Sequence, residues 1–331
     1  MQLTTLGETG LAVSRMGIGL AALGRPGYIN LGHAADLHGD LEVETMEAGA
    51  FEVLDAAREA GVRYLDAARS YGRAEAFLGR WLESRGIEPG SVTVGSKWGY
   101  TYTAGWKVEA EKHEVKDHSL ATLRRQVVES RELLGSYLDL YQIHSATLES
   151  GVLENGEVLD ELARLREGGL KVGLSVSGPR QAEVIRRAIE VNAARGRVFD
   201  CVQATWNLLE TSASEALAEA RKAGVGVIIK EGLANGRLTD RNAKPAFADK
   251  RSRLEKASAE LGVTIDALAL SAVLDQGWVD VVLSGAATVN QLRANLKALG
   301  VTWDASLRQQ FAGFAEPANE YWETRAKLAW N

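Results

Sequence analysis

Apolar and polar positions along the chain follow two periods. Near the start, Leu-Thr-Thr-Leu-Gly and Leu-Ala-Val-Ser-Arg-Met-Gly flank Glu8-Thr9-Gly10, and their alternation predicts a β-hairpin over 2–17. Short β-rich runs then recur at 16–23, 63–66, 92–97, 138–144, 171–177, 199–204, 225–230 and 279–285. The stretches between them change to the helical period. Leu120, Leu123, Val127 and Leu134 share one face of a helix predicted over 120–135. Val158, Leu159, Leu162 and Leu165 do the same over 157–167, where Gly168-Gly169 stops the helix. Strand–helix alternation of this kind predicts parallel strands joined by crossover helices. Eight β-rich runs, each followed by a helix, count to an α/β chain folded as a (β/α)8 TIM barrel, which needs about 31 residues per unit. The intervals after the first, third and seventh runs are longer, so long loops are expected on the C-terminal face, where barrel enzymes keep their sites. The tail, 305–331, reads as helical and then aromatic (Tyr321, Trp322, Trp330), and is expected to fold back over that face. The whole chain, 1–331, reads as one domain.

Composition narrows the class. Of the 331 residues 46% are hydrophobic and 25% charged, which suits a globular chain and not a disordered one. The 34 glycines against 5 prolines suit many tight strand–helix turns. Cys201 is the single cysteine, so neither an intramolecular disulfide nor a Cys-based zinc site is expected. A net charge of −6 leaves no basic footprint for nucleic acid. No apolar run reaches the roughly 20 residues of a membrane span, and the first ten residues lack a signal-peptide pattern. The expectation is a soluble, cytoplasmic protein.

Several motifs mislead. Gly17-Ile18-Gly19-Leu20-Ala21-Ala22 matches G-x-G-x-x-A, but Gly24-Arg25-Pro26-Gly27 follows where a dinucleotide fingerprint opens a helix. His113 and His118 sit one residue too far apart for a zincin pair. On a helix they diverge by about 140°, and the segment reads as a solvated loop. Gly173-Leu174-Ser175-Val176-Ser177 lacks the last glycine of a nucleophile elbow.

The informative pattern is polar residues closing apolar strands. Asp66 ends one run, with Tyr71 five residues on; Lys97 ends the next and His144 the one after. Singly they read as a helix cap, a solvated strand end and a core histidine. Together, on one barrel rim, they form an acid–base apparatus. A phenol with an ordinary pKa of about 10 becomes a better acid beside an ammonium. Lys97 supplies the ammonium if Asp66 holds it, and His144 can orient a carbonyl. Reduction of that carbonyl needs a hydride, which no side chain provides and a nicotinamide does.

At these residues the chain resembles the aldo-keto reductase family. Leu-Asp-Ala-Ala-Arg-Ser-Tyr-Gly around Asp66 and Tyr71, Val-Gly-Ser-Lys-Trp-Gly around Lys97, and Leu-Asp-Leu-Tyr-Gln-Ile-His around His144 follow the order and spacing of its tetrad. The resemblance spans nearly the whole chain. It implies a (β/α)8 barrel with an N-terminal hairpin and NADP(H), less often NAD(H), extended across the rim. It implies Tyr71 as general acid in reduction and base in oxidation, tuned by Lys97 and Asp66, with His144 positioning the carbonyl. Ser175 and Gln203 then fall at the nicotinamide. Leu233 falls in the loop over the pyrophosphate, and Gly19, Lys230 and Gly232 are further cofactor-binding candidates. Gly285, Ala287, Thr288, Gln291 and Asn295 fall at the adenosine end.

Four positions depart from the family pattern. Ala67 replaces a Thr, Val176 an Asn on the carboxamide, and Lys230 an aromatic that stacks on the nicotinamide, a role for which Trp206 is the candidate. Ala287 replaces an Arg that pairs with the 2′-phosphate, leaving the helix N-terminus, Thr288 or Lys230 to compensate. NADP(H) stays favoured, with NAD(H) the alternative. Tyr28, Trp98 and Trp206 are candidates for the substrate pocket, with His33, Arg69 and Arg73 near strand ends. The expected partner is a small carbonyl or alcohol: an aldehyde, a ketone or an aldose. Two rival readings are a cofactor-binding sensor or auxiliary subunit with little turnover, and a hydrolase pairing Asp66 with Glu231 or Glu210. The latter leaves Tyr71 and Lys97 unexplained.

Overall fold

Eight short strands close into a parallel barrel in chain order: β1 Met16–Gly19, β2 Tyr64–Asp66, β3 Thr93–Trp98, β4 Leu138–Ala146, β5 Lys171–Val176, β6 Cys201–Thr205, β7 Gly226–Lys230 and β8 Val281–Ser284. The computed structural model describes residues 1–37, 39–193 and 196–331. The pairing runs around the ring, from Gly19 opposite Asp66 to Gln203 opposite Ser175, with register shifts at Val94/Gly95 between β3 and β4 and between Ile143 and Ala146 where β4 meets β5. Each strand is buried along nearly its whole length, as β3 is from Thr93 to Trp98, because helices cover the outside.

Helices α1 Val43–Glu59, α2 Ala74–Ser84, α3 Leu120–Leu134, α4 Gly156–Glu167, α5 Gln181–Glu190 and α6 Ser214–Lys222 follow the first six strands. α7 Ala248–Leu261 and α8 Ile265–Leu274 follow β7, and α9 Val289–Leu296 follows β8. The helix predicted over 120–135 is α3, capped by Ser119, whose Oγ accepts from Thr122 N.

The N-terminal hairpin, Leu3–Thr5 with Ala12–Ser14, closes the bottom of the barrel. Leu6 and Val13 join Tyr64, Leu140, Ile228 and Val281 in one buried cluster. Gly7 N donates to Asp280 Oδ2 (3.1 Å) and Thr93 Oγ1 to the Ala12 carbonyl (2.8 Å). With that end sealed, the C-terminal rim carries the long connections. They follow β1, β3 and β7, as the interval lengths predict.

Two local expectations change. The run at 16–23 is a strand only to Gly19; Leu20–Gly24 turns, with Gly24 N bonded to the Leu20 carbonyl (3.0 Å). The 113–118 segment is not a solvated loop. Glu114–Lys116 pairs antiparallel with Tyr100–Tyr102, forming a second hairpin over the rim.

The tail does fold back. After α10 Ala305–Gln310 and α11 Ala318–Ala326, Asn331 exchanges two backbone hydrogen bonds with Tyr28 (3.0 and 3.1 Å), and Trp330 stacks on His113 at 3.9 Å. Among the described residues no single helix is long and apolar enough to cross a membrane.

Candidate active site

Asp66 is the last residue of β2, and its carboxylate points into the barrel mouth. It pairs with Lys97 Nζ from β3, and both side chains are buried. Tyr64 OH (3.1 Å), Gln203 Nε2 (2.9 Å) and Gln142 Nε2 (3.4 Å) also donate to it. Lys97 Nζ donates further to the Ala67 carbonyl (3.0 Å). A lysine with no access to water is thus held by a fixed partner set.

Tyr71 sits on the turn between β2 and α2. Lys97 Nζ lies 4.9 Å from its ring centroid, and the His144 ring stands edge-on at 5.5 Å. Sequence reasoning expects Lys97 to lower the Tyr71 pKa. In the protein alone the balance is the reverse. Burial pushes the phenol well above its usual range, Asp66 adds to this, and Arg25 opposes it. His144 is held well below its ordinary pKa by burial, then by Lys97 and Arg25, so its imidazole is neutral. Its Nδ1 meets Ser70 Oγ at 3.4 Å. The next residue, Ser145, takes φ 52°, and its N–H is satisfied by Ser175 Oγ (2.8 Å).

These side chains border a cavity of about 160 Å³. Asp66, Tyr71 and His144 line it, with Lys97 buried behind Asp66. Gly19, Gln203, Lys230, Gly232, Leu233 and Gly285 line it too, as does Tyr28. Ser175 is buried just beneath and is engaged by Ser145.

The residues expected at the adenosine end gather around α9. Thr288 caps this helix, Oγ1 accepting from Gln291 N (3.3 Å). Gln291 Oε1 accepts from Ala287 N (2.8 Å), and Asn295 Nδ2 donates to Ser284 Oγ (2.9 Å). Gln291 Nε2 donates to Asp36 Oδ1 (2.8 Å), and Asp36 also pairs with Arg241.

Two pocket candidates lie elsewhere. Trp98 follows Lys97, but neighbours on a strand point to opposite faces. Lys97 faces inward, while Trp98 is fully buried in the outer core with Leu123 and Tyr141. Trp206 packs edge-on against Trp278 at 5.7 Å, and its Nε1 donates to Ser214 Oγ (2.8 Å). It does not reach the cavity lining, so the stacking role raised by Lys230 is left without it. His33 is buried, Arg69 pairs with Glu75 and Glu129, and Arg73 lies over Trp106.

Arg25, Glu114 and Arg325, which nothing in the sequence singles out, also stand in the cavity wall, joined by Trp330 of the aromatic tail. Arg325 grips Glu231 through both oxygens (2.5 and 2.9 Å). Burial would raise the Glu231 carboxyl, but Arg325 and Lys230 hold it at about 2. Burial brings Lys230 down to about 8 against the pull of Glu231. Glu210 is buried away from the cavity, bonded to Ser212. Asp66 and Glu231 are each locked in an ion pair, so a carboxylate-pair hydrolase has no free acid here.

The loop after β7 is tightly turned. Glu231, Ala234 and Asn235 all have positive φ (56°, 49° and 55°), and Ala234 N and Gly236 N bond back to the Glu231 and Leu233 carbonyls (2.8 and 3.0 Å). The buried Asn235 Oδ1 and Asn295 Oδ1 have no partner within the protein.

Comparison with known proteins matches this picture. The model of the aldo/keto reductase family matches residues 15–313. The uncharacterized oxidoreductase YrpG of Bacillus subtilis (strain 168) is 26% identical over 329 residues, covering 93% of this chain and 94% of its own. The NADH-specific methylglyoxal reductase of Escherichia coli (strain K12) is 26% identical over 342 residues, covering 94% and 98%. Among solved structures, the holo form of aldo-keto reductase AKR11C1 from Bacillus halodurans superposes with a TM-score of 0.73 at 22% identity, covering 96% and 97%. That last likeness is one of fold.

Proposed function

The chain belongs to the aldo/keto reductase family of oxidoreductases, and from that premise we propose that it interconverts a small carbonyl compound and its alcohol with a nicotinamide cofactor. The observation that carries the reading is the grouping of Tyr71, Lys97, Asp66 and neutral His144 at one end of one cavity. NAD(P)H, when bound, supplies the hydride. Gly19, Gln203, Lys230, Gly232, Leu233 and Gly285 are proposed to hold it, with Ser175 beneath them and the α9 residues at its far end.

In this reading Tyr71 Oη gives its proton to the carbonyl oxygen during reduction and takes it back in oxidation. Lys97, fixed by Asp66, stabilises the phenolate left behind. His144, with Nδ1 committed to Ser70, offers Nε2 to the carbonyl. A neutral imidazole orients that oxygen without adding a cation. The cavity bordered by Tyr28 and Trp330 suits a small aldehyde, ketone or aldose.

NADP(H) remains the favoured cofactor in this proposal, and NAD(H) the alternative. Ala287 has no charge to offer a 2′-phosphate. Thr288 is spent on capping, and Lys230 Nζ is bonded to Thr205 Oγ1 (2.8 Å). Arg241 is engaged as well, with Asp36 and the Leu31 and Gly32 carbonyls, but Asp36 and Gln291 link it to the Ala287 backbone, so it is the substitute if a 2′-phosphate takes the place of the Asp36 carboxylate. Arg241→Ala is expected to lower the NADPH-over-NADH affinity ratio about tenfold, the scale of a charge-assisted contact. An unchanged ratio in paired titrations would remove Arg241 from the site.

The direct test is Tyr71→Phe with a carbonyl panel. Turnover of NADPH should fall at least about a hundredfold, the scale of general acid catalysis, while cofactor affinity stays. Retained turnover removes Tyr71 as the acid. Cofactor binding with no turnover by the wild type would support the auxiliary-subunit reading instead.

A further inference from the structure

Tyr71 faces a second ion pair besides Asp66–Lys97. The Arg25 side chain, from the loop after β1, is only 3% exposed and lies with its guanidinium 5.1 Å from the Tyr71 ring centroid. Its Nη1 donates to the Ser70 carbonyl (3.0 Å) and to Glu114 Oε2 (3.1 Å) on the rim hairpin. Tyr28 and Trp330 stand 5.4 and 4.8 Å from the same guanidinium and shield it from water. The phenol thus has two cations beside its ring, each with its own carboxylate. A buried ion pair adds little net stability over well-packed apolar side chains, so this placement asks for a role other than stability.

We propose that Arg25, held by Glu114 and the Ser70 carbonyl, is a positioning residue that sets the acidity of Tyr71 alongside Lys97. The proposal rests on the reading of Tyr71 as the general acid. It goes beyond the tetrad because neither Arg25 nor Glu114 belongs to it.

The physics assigns the two partners opposite signs. A cation near the phenol favours phenolate and a carboxylate disfavours it. The charged and titratable groups facing Tyr71 are Asp66 from β2, Lys97 from β3 and His144 from β4. Arg25 and Tyr28 come from the loop after β1, Glu114 from the hairpin and Glu231 from the loop after β7. His144 is neutral and adds no charge. After burial and Asp66, Arg25 pulls the Tyr71 pKa down, and Glu114 and Glu231 push it up. Loss of Arg25 therefore weakens the acid, while neutralising Glu114 strengthens it. A purely structural pair would show no such opposition.

The experiment is the pH dependence of kcat/KM for NADPH-driven reduction, with the carbonyl of the panel that the wild type turns over fastest. The range runs from about pH 6 to about pH 11. With the phenol held well above its usual range, the wild-type alkaline limb stands at or beyond the top of this range, so the readable shift is downward: Glu114→Gln, where the acid loses its proton more easily, should bring the limb down by about one pH unit, while Arg25→Met carries it further out of range. Arg25→Lys should stay near the wild type. A Glu114→Gln limb that does not move down, or an Arg25→Met limb that does, overturns the proposal. If Arg25→Met fails to fold by circular dichroism, Glu114→Gln decides alone by the downward shift. Tyr71→Phe separates the two layers. Residual turnover there sinks the reading of Tyr71 and this inference with it. A dead Tyr71→Phe with an unmoved Glu114→Gln limb sinks only the role of Arg25.

Discussion

A wholly buried lysine is rare unless it is paired, and Lys97 is wholly buried. Its charge is matched by Asp66, which is itself buried. Asp66→Asn would leave the ammonium with amide and carbonyl oxygens only. Breaking such a pair costs about 3–5 kcal/mol, so the urea midpoint should fall accordingly. A midpoint like that of the wild type would mean that the pair does not hold the site together. The tetrad was legible because Asp66, Lys97 and His144 end apolar strands, and strand ends on one side of a barrel converge. Arg25 was not legible. It lies in Leu-Gly-Arg-Pro-Gly, which reads only as a turn, and Glu114 lies in a polar stretch with no period. Trp98 erred the other way. Nearness in sequence to Lys97 suggested the pocket, and strand alternation turned it outward.

At the scale of elements, the eight strands and the helices between them followed from period alone, because a strand buried on both faces reads as a continuous apolar run. The rim hairpin did not. Tyr100–Tyr102 and Glu114–Lys116 are polar, short and half-exposed, so nothing in their pattern separates them from a loop. The turns that carry the site depend on close backbone approach. A Cβ on Gly24 would stand 2.4 Å from the Tyr71 carbonyl oxygen and 2.5 Å from Ala74 Cβ. Gly24 O also accepts from Arg73 N (2.7 Å), so this turn fixes the Tyr71 segment directly. Gly24→Ala should displace that segment, at a stability cost of about 1–3 kcal/mol. Because Tyr71 itself moves, kcat should fall about tenfold or more, as small misplacements at a reacting centre do. Full activity in a folded Gly24→Ala protein would show that Tyr71 tolerates the shift.

At the scale of the whole molecule, one end of the barrel is a plug and the other a site. The hairpin fills the bottom, and the tail crosses the top, where Arg325 binds Glu231 and Asn331 binds Tyr28. The aromatic tail signalled this return, but its anchor did not show, because an ion pair between residues so far apart in sequence has no local pattern. Arg325→Ala would leave Glu231, which is nearly buried, with only the longer Lys230 contact (3.7 Å) and the Thr205 hydroxyl (3.3 Å). With Arg325 itself about a quarter exposed, the cost should be about 1–3 kcal/mol. Hydrogen exchange should quicken over 318–331 while the barrel strands keep their protection. Unchanged exchange there would place the tail's anchor elsewhere.

Every role proposed for these side chains depends on a nicotinamide site across the barrel mouth. The most direct measurement is a titration of the purified protein with NADPH and, separately, NADH, followed by tryptophan fluorescence. Saturable binding at micromolar concentration, tighter for NADPH and retained in Tyr71→Phe, is the predicted result. Absence of binding to either cofactor at millimolar concentration would contradict it.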